Sequence, residues 1–162
     1  MAIIVEDGSI VPNANSYVSV AELEQYTADR GIIMLSDASQ SLLKAMDYIE
    51  TLSYKGRKVE RTQPLQWPRR GVVIDGYMVR SDEIPQLLKT AQMQLAVSID
   101  QGVDPLETQE QSVVREKVDV IEVEYSEFSS SSPIIKSFNS SIWRLLSGVN
   151  GAGGNVGTVF KG

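Results

Sequence analysis

The chain has no cysteine and no histidine among its 162 residues. The first absence excludes disulfides and thiolate chemistry. The second removes the commonest metal ligand and the side chain best suited to proton transfer near neutral pH. No apolar run approaches the roughly 18 residues of a membrane span, and the opening MAIIVEDG carries no basic leader region. These features point to a chain made and used on the cytosolic side. An excess of positive charge is also missing: 15 basic residues against 21 acidic give a net charge of −6. Generic attraction to a phosphate backbone is therefore not expected, and any contact with nucleic acid must come from a local patch.

What is present is the make-up of a soluble globular protein, 42% hydrophobic and 22% charged. The length suits one domain, which buries roughly 70% of its unfolded surface. The first eighteen residues alternate β-prone runs with turn residues (Asp7-Gly8, Pro12-Asn13) and read as an extended arm or a strand with turns. Ser19 and Glu22 form a capping box, with Val18 and Leu23 at hydrophobic-staple positions, so a first helix is expected over about 20–30 with Gly31 as its stop. A second helix is expected from Ser36 to near Lys55-Gly56, with Leu42, Ala45, Met46, Ile49 and Leu52 on one face. A third is announced by Ser81-Asp82-Glu83, tolerates Pro85 in its first turn, carries a stripe of Ile84, Leu88, Ala91, Leu95 and Ile99, and closes at Gly102.

Beyond residue 106 the period changes. The segment VVREKVDVIEVEYSEF alternates like a strand with a bulge near Val120, and residues 107–127 hold seven acids and two bases. A solvated strand face accounts for that charge. Ser129 to Ser132 lead to Pro133 at the start of a fourth, separate helix with Ile134, Ile135, Phe138, Ile142, Leu145 and Leu146 on its stripe. The tail GVNGAGGNVGTVFKG has six glycines in fifteen residues yet ends in Val159, Phe160 and Lys161, as if meant for insertion elsewhere. The expected architecture is mainly α: a helical core over 19–106, an extended arm over 1–18, an acidic strand or hairpin over 107–128, and a C-terminal helix and tail over 129–162 for partner docking.

Catalytic and cofactor signals are weak. The tail glycines miss the dinucleotide-loop spacing by one, with no strand before and no helix after. Asn139-Ser140-Ser141 matches a glycosylation sequon by chance. The neighbouring carboxylates Asp82 and Glu83, or Glu122 and Glu124, are explained by a helix cap and a strand face. No enzyme, metal or cofactor site is expected.

The densest basic region is Lys55, Arg57, Lys58, Arg61, Arg69 and Arg70, against the single acid Glu60, and it contains QPLQWPRRG. Two readings stand side by side. With Tyr54 and Trp67 it is a stacking and phosphate-binding surface for single-stranded nucleic acid. Alternatively Trp67 plugs the core, Pro64 and Pro68 stiffen a loop between the second and third helices, and Arg69 and Arg70 lie at the surface or on a neighbouring acidic subunit.

Several blocks in order, VEDGSIVPNANSYVS, SLLKAMDYIE followed by YKGRKV, QPLQWPRRGVVIDG, SDEIPQLLKTAQMQLA and VREKVDVIEVEYS, resemble the head-to-tail adaptor (head-completion) proteins of tailed bacteriophages. The similarity spans roughly residues 3 to 128. Relatives with this pattern also carry the label of DnaT-like single-stranded-DNA-binding proteins, through similarity to a primosomal protein, and replication accessory is the alternative it leaves.

The resemblance implies a ring of about twelve copies under the portal protein. The ring would extend the DNA channel and carry tail or nozzle proteins in the neck of the virion, after synthesis in the host cytoplasm. Genomic DNA would pass through without specific binding, and no membrane is involved. The expected subunit or portal contacts are Trp67, Arg69, Arg70, Ile142, Trp143, Leu146, Val159 and Phe160.

Overall fold

Three helices form where capping chemistry and apolar spacing agree. The computed structural model describes residues 2–105 and 142–146. In helix α1 (Val20–Ala28) the Ser19 hydroxyl accepts the Glu22 N–H while the Glu22 carboxylate accepts the Ser19 N–H, completing the expected capping box. Val18 and Leu23 are both fully buried. At the far end Ile32 N–H reaches the Thr27 carbonyl and Gly31 N–H the Ala28 carbonyl, with Gly31 at φ +63°, so the stop falls where the glycine predicts it.

Helix α2 (Ala38–Ile49) starts one residue later than expected, on Asp37, whose carboxylate accepts the Ser39 and Gln40 N–H groups. Leu42, Ala45, Met46 and Ile49 are buried as their spacing requires. The helix ends well before Lys55-Gly56. The Tyr54 hydroxyl donates to the Ile49 carbonyl and Thr51 Oγ1 to the Tyr48 carbonyl, so side chains satisfy the open helix end and the chain turns away.

Helix α3 (Gln86–Asp100) corrects a second expectation. Ser81-Asp82-Glu83 does not cap it: Pro85 is the N-cap residue and makes no side-chain cap bond, while Asp82 pairs with Arg80 in the preceding turn. Proline disfavours helical backbone at the residue before it, Ile84, so the helix cannot begin earlier. Leu88, Ala91 and Leu95 are buried, as is Ile84 ahead of the helix. Gly102, at φ +91°, donates to Ile99 while Val103 donates to Ser98, a Schellman stop.

Helices α2 and α3 are the principal packed pair. They run antiparallel, because Asp100 at the end of α3 accepts the Leu35 and Ser36 N–H groups just ahead of α2. Helix α1 packs on both.

The N-terminal segment is not an extended arm. The carboxylate of Glu6, fully buried, gathers the N–H groups of Gly8 (2.8 Å), Ile10 (3.0 Å) and Val11 (2.9 Å), winding the chain into a loop. Val11 to Ala14 then close a turn with Pro12 and a left-handed Asn13, and Val5 bridges Ser16 in parallel. Gln92 of α3 stitches this loop to the bundle. Its carbonyl accepts the Tyr17 N–H, and its amide donates to the Ser16 hydroxyl and the Leu42 carbonyl. The segment folds down because one buried carboxylate and one buried amide satisfy backbone groups that an extended arm would leave to water.

Two short antiparallel ribbons complete the described fold. Strands β1 (Arg57–Lys58) and β2 (Arg69–Arg70) pair Arg57 with Arg70 and Lys58 with Arg69. Strands β3 (Val73–Ile74) and β4 (Tyr77–Met78) form a hairpin around Asp75-Gly76, both at positive φ. Residues 142–146 hold a 3-10 turn, Trp143–Leu145. The acidic strand expected at 107–128, the start of the fourth helix at Pro133, and the tail with Val159 and Phe160 lie outside the described residues.

Candidate functional site

The block QPLQWPRRG is built inward. Gln63, buried, donates its amide to the Leu65 (2.9 Å) and Pro68 (3.0 Å) carbonyls and accepts the Glu60 N–H, closing the turn on itself. The Trp67–Pro68 peptide is cis. The Trp67 ring is fully buried and meets Tyr54 edge to face, with centroids 6.0 Å apart.

Below the turn lies a polar chain. Tyr17 donates its hydroxyl to Glu50 Oε1 (2.6 Å) and accepts the Trp67 N–H (3.1 Å), while Glu50 Oε2 accepts the Gln66 N–H (2.8 Å). Burial raises the Glu50 carboxyl above its ordinary value in spite of those hydrogen bonds, and burial raises the Tyr17 and Tyr54 hydroxyls as well. A carboxyl raised on folding contributes stability that is present below the unfolded glutamate value of about 4.3 and lost as pH rises through the folded value. Wild type should therefore gain stability relative to Glu50→Gln on acidification. Urea unfolding of both proteins at neutral and acidic pH checks this, and a pH-independent difference would refute it.

Arg69 is 8% exposed. Its Nε donates to the Lys55 carbonyl (2.7 Å), Nη1 to the Gln66 carbonyl and side chain, and Nη2 to the Gly56 (2.9 Å) and Tyr54 carbonyls. Burial pulls this guanidinium below its ordinary value, while Tyr17, Tyr54 and Glu50 raise it. The fork of donors clamps residues 54–56 onto the turn. The expected presentation of Arg69 to a neighbour is thus corrected. Its donors are engaged within the chain, because the 54–56 backbone has carbonyls that no helix or sheet satisfies. Arg70 does point outward, and one of its Nη atoms holds the Val59 carbonyl (2.7 Å).

The solvent side of the ribbon carries Arg57 opposite Arg70, both exposed, with exposed Arg61 close in sequence. Like charges directly opposite on a ribbon repel, so this face suits an anionic partner. It has no stacking platform from Trp67 or Tyr54, since both rings are buried.

The C-terminal candidates fall apart from one another. Ile142 and Leu145 are buried in the chain's own core, Leu146 bridges Tyr54, and the Leu145 carbonyl accepts the Lys55 N–H. Ile142 and Leu146 are used to close the chain on its basic turn, which differs from a separate docking helix. Trp143 remains 46% exposed, and Arg144 pairs with Asp75 at the hairpin tip.

Sequence reasoning missed the hairpin, whose signal is Asp75-Gly76 between VVI and YMV. It also missed Glu6, Glu50 and Gln92, for which no local signal exists. Among the described residues no three His, Cys, Asp or Glu side chains gather as they would around a metal, and no helix is long and apolar enough to cross a membrane.

No curated protein and no solved structure matches the chain. One family model, described as "Putative DnaT-like ssDNA binding protein", matches residues 1–160. That span is nearly the full sequence and includes the loop on Glu6, the three helices, both ribbons and the basic turn, so the chain belongs to this DnaT-like family.

Proposed function

We propose that the chain is a structural subunit of the head-to-tail adaptor of a tailed bacteriophage. In this reading it has no catalytic role and forms a ring of about twelve copies beneath the portal protein. The ring continues the DNA channel and carries the tail or nozzle proteins in the neck of the virion. One observation carries the reading: the most distinctive block of the sequence, QPLQWPRRG, is spent on internal scaffolding, with Trp67 and Arg69 both buried. A stacking turn would keep its ring at the surface, and of the two guanidinium groups only that of Arg70 stays there. The net charge of −6 supports it too, because DNA moving through a channel is slowed by every fixed basic contact.

A second reading, a single-stranded-DNA-binding replication accessory, is favoured by the family's description and by the Arg57–Arg70 pair. The two are separated by fluorescence anisotropy on labelled oligo-dT at moderate salt. The adaptor reading predicts no saturable signal. Micromolar binding that disappears in Arg57→Glu/Arg70→Glu would overturn it, because such binding needs the exposed face of the ribbon.

A further inference from the structure

Among the described residues two apolar pairs stand exposed, one beside the C-terminal end of α3, a helix about 22 Å long, and one on the β3–β4 hairpin. Beside the helix end the connection Gly31–Ser36 alternates: Ile32 and Met34 pack against the core, while Ile33 and Leu35 are 81% and 78% exposed. This connection is fastened to Asp100 at the C-terminal end of α3. On the hairpin, Val73 and Met78 stand opposite each other, 45% and 67% exposed. Among the described residues, none of these four side chains belongs to the core or packs against it. Paired exposure of this kind marks an interaction surface more than scattered single residues do.

The charges around the two patches are of opposite sign. Asp29, Asp37, Asp100 and Asp104 lie around the Ile33/Leu35 end, against Arg30 and Lys44. Arg70 and the Arg80–Asp82 ion pair share a surface depression with Met78, and Arg57 lies across the ribbon from Arg70, which leaves the arginines in excess there. Each patch thus combines an apolar pair with charge complementary to the other. A two-fold contact through one patch alone would place like on like, acid on acid or base on base, and a two-fold contact that joined both patches at once would close at the dimer. A head-to-tail contact satisfies both terms, and repetition of such a contact builds a ring or an open filament.

We infer that the Ile33/Leu35 end of one copy docks on the Val73/Met78 hairpin of the next copy of this chain. This rests on the adaptor reading only in taking the partner to be a second copy, and it names the subunit contact that reading needs. The absence of native cysteine makes a direct test available. Full-length Leu35→Cys and Met78→Cys, each checked for the wild-type circular dichroism spectrum, are mixed at high concentration under mild oxidation. Exposed Glu24→Cys serves as the control for random collision.

Mixed-position dimers well above the share that collision gives, and a ladder beyond dimer from Leu35→Cys/Met78→Cys in one chain, are expected. Same-position dimers, or cross-linking no greater than the Glu24→Cys control, overturn the inference. The second result would mean that other residues of the same chain, or a different protein, cover these patches. The same cross-linking samples are sedimented with portal-bearing heads. A ladder without head association keeps this inference and removes the adaptor reading, whereas head association without mixed dimers does the reverse.

Discussion

Arg69→Ala should lower the free energy of unfolding by about 3 to 4 kcal/mol, while Arg70→Ala changes it by about 1 kcal/mol or less. The two arginines are adjacent in sequence and opposite in use. Removing Arg69 strips donors from the carbonyls of Lys55, Gly56, Gln66 and Tyr54 at a site that is 8% exposed. It also frees the segment on which Leu145 and Leu146 close. Removing Arg70 costs one exposed bond to Val59. Urea denaturation of the two variants checks the contrast, and equal effects would show that Arg69 is not the clamp. A charge reversal at both positions would confound folding with assembly, so surface tests belong at Arg57 and Arg70.

Gly8→Ala should destabilise the chain by about 3 kcal/mol, close to the largest effect expected of any single methyl group here. Gly8 sits at φ +108°, and a Cβ there would stand 2.0 Å from the Asp82 carbonyl oxygen. The clash is with backbone, which cannot rotate aside. Because the Gly8 N–H is one of the three held by Glu6, displacing it disturbs the whole loop and with it the contact to the turn ahead of α3. Gly76→Ala is the control: it shares a positive φ, +84°, but meets nothing within 4 Å, so only the conformational cost of about 1 kcal/mol applies. Similar melting temperatures for the two variants would mean that the close approach of Gly8 to Asp82 does not matter.

These contrasts show where the sequence was readable. Signals that act within a few residues came through: the Ser19–Glu22 box, the Gly31 and Gly102 stops, and the buried stripes of α2 and α3 all follow from spacing. The α3 start differs from its local signal because Ser81-Asp82-Glu83 resembles a cap, whereas Pro85 excludes helix at Ile84. The N-terminal loop is hidden in the sequence for a different reason. A glutamate that collects three N–H groups within five residues carries no more signature than any surface glutamate, and Gln92 reaches residue 17 from a distant helix.

The basic turn shows the limit most directly. Composition places six cations in one stretch, but only the fold separates Arg69, consumed by backbone carbonyls, from Arg57 and Arg70 at the surface. That separation moves the reading of the block from nucleic-acid contact towards scaffolding.

An acidic chain whose distinctive turn is internal fits the assembly subunit proposed above. The most direct test is co-sedimentation of the purified chain with DNA-filled, tail-less phage heads in the presence of excess single-stranded oligonucleotide. Saturable pelleting at about a dozen copies per head, undiminished by the oligonucleotide, is the predicted result. A chain that stays in the supernatant bound to the oligonucleotide would contradict the account and make the Arg57–Arg70 face the working surface.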